Sequence, residues 1–187
     1  IRNAFVTDRG GVNIGGIQEF NLSLEWVIAN KEKYNISAVS FSRGQNTWTK
    51  TSNTCPIDLR TQGQIVSLQN LGVATVIAAG NDRNKTNISY PACISEAVAI
   101  SGIYSSKYTP KIFSTYRETF GTNSGAATDF FAYGNFKTVA GPVAESTSAS
   151  TAAFAGYWSK VSNGNYFDTY SKISSTMTLQ KFVDVLN

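Results

Sequence analysis

The chain has no histidine among its 187 residues. Imidazole alone among side chains has an unperturbed pKa near neutrality. This polypeptide therefore cannot itself supply the base of a Ser-His-Asp hydrolase, nor the commonest ligand of a catalytic zinc. Cysteine is nearly absent: Cys55 and Cys93 stand far apart, in no Cys-x-x-Cys pair. That argues against a zinc site and leaves two alternatives, a disulfide or two buried thiols. No apolar run approaches the ~18 residues of a membrane span, and no basic-then-apolar leader opens the chain. No acidic loop has EF-hand spacing; no cofactor is expected, and a structural calcium site cannot be read from the sequence. Charge is thin as well, 15% of residues with a net +4. Its lysines and arginines are scattered, which excludes the basic block of a nucleic-acid binder.

What is present makes a core. The chain is 42% hydrophobic and 12% aromatic, ample for one domain of this length. Apolar spacing predicts an amphipathic helix over 20–33, with Leu22 and Trp26 widening its stripe and Asn21 or Ser23 able to cap it. A β-branched strand follows at 36–41, then a polar loop at 45–54. A second helix is predicted over 57–71 and stopped by Gly72. The run 73–79 is apolar nearly throughout, as a parallel strand covered on both faces should be. Another buried strand is expected at 97–103. Residues 1–6 read as a short strand entering the turn Asp8-Arg9-Gly10-Gly11. The aromatic-rich 167–186 closes the chain, with a helix from Leu179. Alternating strands and helices are the mark of an α/β fold with a mostly parallel sheet. Four Asn-x-Ser/Thr patterns are expected by chance in so Asn-, Ser- and Thr-rich a chain and carry no weight.

The chemistry centres on Glu145-Ser146-Thr147-Ser148-Ala149-Ser150-Thr151-Ala152-Ala153-Phe154-Ala155-Gly156. Hydroxyl residues running into an Ala-rich segment read as a loop entering a buried helix, with Ser and Thr satisfying the first free N–H groups. The bland interpretation is an ordinary capped core helix. A serine in that first turn, however, lies where the dipole and free amides favour an oxyanion. A second stretch, 72–81, reads as a buried strand ending in the turn Gly80-Asn81.

Together these stretches resemble the subtilisin-like serine proteases, the subtilases. Thr147-Ser148 followed by Ala155-Gly156 is similar to the family's nucleophile motif, and Ala78-Ala79-Gly80-Asn81 to the motif bearing its oxyanion-hole asparagine. Ser42-Arg43-Gly44 resembles its Ser-Leu-Gly substrate-binding strand. The segment 108–120 resembles the family's return along the sheet edge, and 129–134 its Asp-Leu-x-Ala-Pro-Gly stretch, with Tyr133 in place of Pro. The segment 138–143 then leads to the Ser148 helix.

The resemblance implies Ser148 as nucleophile and Asn81 as an oxyanion donor. It implies Ser42, Arg43, Gly44, Ala79 and Gly80 as walls along an extended peptide or protein substrate. A Cys55–Cys93 disulfide, as in some bacterial subtilases, would place the protein outside the cell or in another oxidising compartment. Asp8 imitates the family's catalytic Asp-Thr-Gly, yet no His-Gly-Thr lies between it and the next helix, so it aligns beyond the catalytic histidine. Residues 1–187 then form the C-terminal portion of one subtilase-like domain, incomplete on its N-terminal side. A missing segment or a partner chain would complete the sheet beside 38–41, whose edge would otherwise be unpaired.

Three departures from the family stand out. Ser146 replaces a glycine, Ala152 a proline and Arg43 a leucine. Arg43 either points to solvent or selects acidic side chains. Two functions remain open: part of a serine endopeptidase, with histidine and aspartate elsewhere, or a non-catalytic subtilase-fold module for binding or structure.

Overall fold

The structure, a computed structural model, describes residues 16–44, 55–56, 58–104, 111–112, 121–134, 137–138, 141–142 and 146–176. The strand expected at 1–6, Asp8, the loop at 45–54, most of 108–120 and the helix from Leu179 lie outside the described residues.

Four parallel strands form the sheet in the order β1 (Ala38–Phe41), β2 (Ala74–Ala78), β3 (Val98–Tyr104) and β5 (Phe130–Tyr133). A short β4 (Lys111–Ile112) runs antiparallel to the end of β3. The strands β6 (Lys137–Thr138) and β7 (Gly141–Pro142) pair separately as an antiparallel ribbon. Among the described residues no strand pairs with the outer edge of β1.

Helices cover both faces. Along β2 the side chains alternate: Ala74 and Val76 join one apolar cluster, whereas Val73, Ile77 and Ala79 join the other. This two-sided burial is why the strand is apolar throughout rather than alternating with polar residues. On one face α1 (Ile17–Tyr34) and α2 (Leu59–Asn70) contribute Phe20, Leu24, Ile65 and Leu68. On the other, α3 (Thr147–Val161) and α4 (Tyr166–Thr176) contribute Phe154, Trp158, Tyr166 and Ile173, and Phe130 stacks on Phe154. Cys55 and Cys93 form a disulfide with Cα atoms 5.6 Å apart, packed beside the α1–α2 cluster. The bridge encloses α2 and β2.

Several sequence expectations are corrected. The first helix begins earlier than 20: the Glu19 carboxylate turns back to accept from the Gly16 amide at 2.7 Å. Asn21 and Ser23 therefore lie inside α1 and cannot cap it. Asn21 is buried instead, and its Oδ1 accepts from Thr61 at 2.8 Å. Leu22 and Trp26 are exposed, so the buried stripe is narrower than predicted. Asp58 caps α2 by accepting from the Arg60 amide at 3.1 Å, and the Thr61 hydroxyl holds its carboxyl below the usual value. Gly72 follows the end of α2 with φ +77°, the left-handed turn that glycine takes most easily.

The last correction is α4, a helix in a stretch whose aromatic density predicts only a closing segment. Tyr166, Tyr170 and Ile173 recur at i, i+4 and i+7, and the Asn165 side chain accepts from the Asp168 amide at 3.0 Å. Those are the signals that mark the helix, masked in the sequence by the aromatic residues around them.

Candidate functional site

In a parallel sheet every strand delivers its carboxyl end to the same rim, where α/β folds place their ligands. Phe41 pairs with Ile77, so β1 and β2 finish side by side. Ser42-Arg43-Gly44 and Ala79-Gly80-Asn81 therefore leave the sheet as neighbouring loops. The N-terminus of α3 meets both. Ser42 Oγ donates to the Ser148 carbonyl and Ser148 Oγ to the Ser42 carbonyl, each at 3.1 Å. The Thr147 amide donates to Asn81 Oδ1 at 2.9 Å. Residues separated by 66 and 106 positions in the chain thus meet within one turn of helix.

Ser146 has a local cause. It is the N-cap of α3, in extended backbone, and its hydroxyl accepts from the Ala149 amide at 3.3 Å. A glycine there could not make that bond. Ser148 follows two residues into the helix and is half-buried. Its backbone amide has no partner among the described residues, and neither has Asn81 Nδ2. Because Asn81 Oδ1 is taken by Thr147, the carboxamide has its acceptor engaged, while its donor has no partner among the described residues. Two unpaired N–H donors at a helix N-terminus form an environment that favours negative charge on an oxygen.

The loop after β2 is held in shape by glycine and by buried polar groups. Gly80 has φ +101°, and a Cβ there would fall 2.2 Å from Ser89 Oγ and 2.4 Å from Asn123 Nδ2. Gly44 is equally confined, with a Cβ position 2.7 Å from Ser89 Cβ. Ser89 is itself buried and donates its amide to the Ala79 carbonyl at 2.8 Å. Both loops are thus glycine at the points where they close on the side chain of Ser89.

Arg43 is exposed on the rim. The half-buried carboxyl of Asp129 is occupied elsewhere, accepting from the Ala99 amide at 2.8 Å and the Tyr170 hydroxyl at 2.6 Å. Burial pushes Asp129 up, and burial together with that hydrogen bond pushes Tyr170 up. This pair braces β3 and β5 against α4. Among the described residues no carboxylate or lysine hydrogen-bonds Ser148, and no group of three His, Cys, Asp or Glu side chains is placed to hold a metal.

The structure therefore brings together Ser148, Asn81 and Ser42, with Arg43, Gly44, Ala79 and Gly80 on the flanking loops. Sequence reasoning missed Ser89 and Asn123, which shape the loop from behind it. Only their position two residues from a proline or a glycine hinted at them. No curated protein matches the chain significantly. A family model described as the Subtilase family matches residues 10–181.

Proposed function

Because the chain belongs to the subtilase family, we propose that it carries the nucleophile and oxyanion hole of a serine endopeptidase, with the catalytic histidine and aspartate supplied from outside these 187 residues. Ser148 Oγ attacks the scissile carbonyl carbon and gives its proton to that external imidazole. The carbonyl oxygen becomes the oxyanion, held by the Ser148 amide and Asn81 Nδ2. The imidazole then protonates the leaving amine, and water hydrolyses the acyl-enzyme by the same path. The extended substrate backbone lies between Ser42-Arg43-Gly44 and Ala79-Gly80 as an added strand. The observation that carries this reading is the 2.9 Å bond from the Thr147 amide to Asn81 Oδ1. It ties the carboxamide to the first turn of the helix that bears Ser148 and leaves its N–H₂ group available. The Cys55–Cys93 bridge supports an extracellular or other oxidising location.

A second reading is favoured by a specific contact. Ser148 donates its hydroxyl proton to the Ser42 carbonyl, a group that cannot take the proton away. A module of this fold retained for binding or structure would keep such a contact permanently.

Peptide hydrolysis separates the two. The 187-residue chain alone is expected to be inert, and the intact or partnered protein to cleave peptides until Ser148→Ala abolishes turnover. Failure to cleave when a histidine-bearing segment or partner is supplied favours the module. Cleavage by the isolated chain, lost in Ser148→Ala, contradicts the need for an external base.

A further inference from the structure

Asn123 is 2% exposed, lies outside every motif singled out in the sequence, and faces the loop of Asn81 from behind. Its backbone amide donates to the Gly80 carbonyl at 2.8 Å. Its side-chain Nδ2 lies 3.1 Å from the Ala79 carbonyl, 3.0 Å from Asp82 Oδ2 and 3.3 Å from Ser89 Oγ. Its Oδ1 accepts from the Asp82 amide at 2.8 Å and the Asn84 amide at 3.1 Å. One carboxamide thus grips the chain on either side of Asn81.

We propose that Asn123 is the positioning residue of the oxyanion hole, fixing the loop on both sides of Asn81 so that its carboxamide meets the α3 N-terminus. The proposal rests on the reading of Asn81 as the oxyanion donor.

The chemistry is specific to asparagine. Both lone pairs of Oδ1 and both protons of Nδ2 are used, so the side chain is saturated as donor and acceptor at once. Aspartate would keep the acceptor but set a carboxylate against Asp82 and the Ala79 carbonyl. Serine is too short to span the same groups. The neighbouring segment reinforces the grip: the Arg83 amide donates to the Gly121 carbonyl at 3.0 Å, and the Gly121 amide to the Asn81 carbonyl at 3.4 Å. Residues 121–123 therefore run alongside 80–83 as a backing strip. Gly80 must lack a side chain, because its Cβ would collide with Asn123 Nδ2. Asn123 touches no substrate in this scheme. It acts through Asn81.

The Thr147 amide reports on the placement of Asn81 without any need for catalysis, because it donates to Asn81 Oδ1. Hydrogen exchange measured by NMR on the intact protein should show that Asn123→Ala speeds exchange at Thr147 by about 10-fold or more, with Val76 and Ile100 in β2 and β3 still protected. Asn123→Ser serves as a second variant, and Asn81→Ala as the reference for a fully released amide. An unchanged Thr147 amide in a folded Asn123 variant overturns the proposal. So does loss of protection at Val76 and Ile100 in both variants, which would make Asn123 a fold residue.

Labelling of Ser148 by a peptidyl fluorophosphonate supplies the functional arm. Asn123→Ala should slow labelling in the parent and change it by less than about 2-fold in an Asn81→Ala background, as expected of two residues acting through one group. Equal slowing in both backgrounds overturns the positioning role. If Thr147 is released as expected but Asn81→Ala leaves labelling unchanged, Asn123 still positions Asn81, and it is the oxyanion reading that falls.

Discussion

The two loops that meet at the start of α3 are held very differently. Both loops close on Ser89, but only residues 79–84 are also gripped by a buried asparagine and backed by 121–123. Residues 42–44, at the end of β1, touch α3 through two reciprocal serine contacts, and Ser42 and Arg43 are exposed. In the proposed function the Asn81 loop is the oxyanion side, and it is the one held in place from behind. The Ser42 side, where the proposed base would approach Ser148, is held by exposed hydrogen bonds that an incoming group can displace. Preorganised donors contribute most where charge develops, since they need no rearrangement at the moment of reaction. A nucleophile, in contrast, needs freedom to exchange its hydrogen-bond partner.

The contrast can be broken most forcefully at Asn81. Asn81→Ala should slow turnover of the intact protein by roughly 10²–10³-fold, the known cost of removing the oxyanion-hole asparagine from subtilisin itself. A kcat that falls while KM holds places the effect in the transition state. Gly80→Ala comes next. It forces a side chain into left-handed backbone and against Asn123, and should lower stability by about 1–3 kcal/mol, read from the urea midpoint at unchanged slope. Ser42→Ala is the smallest. It removes one exposed hydrogen bond and leaves the Ser42 carbonyl in place, so stability should move by no more than about 0.5 kcal/mol. A Ser42 effect as large as that of Gly80 would erase the distinction between the loops.

How much of this the sequence disclosed follows the same division. β2 was legible because the apolar run through 73–79 leaves few alternatives to a doubly covered strand. The α3 N-terminus was legible because hydroxyl caps have a local cause. The meeting of Ser148 with Asn81 and Ser42 was anticipated from the resemblance to the subtilases; the shared rim of parallel strands accounts for Ser42 and Asn81 alone. Asn123 could not. A polar residue in a loop is ordinarily solvated, and its burial depends on 79–84 folding over it. Leu22 and Trp26 misled in the opposite sense: their side chains are apolar, yet their angular position on α1 carries them past the edge of the core. Ser146 departs from the family pattern and is the cap of the helix.

In the proposed function Ser148 is a nucleophile beside a prepared oxyanion hole and lacks only a proton acceptor from beyond this chain. Mass-spectrometric mapping of a peptidyl fluorophosphonate adduct on the intact or partnered protein tests it most directly. A single adduct on Ser148, absent from Ser148→Ala, is the expected result; an adduct on another serine, or none in a preparation shown to contain the histidine-bearing segment, overturns the assignment of Ser148 as nucleophile.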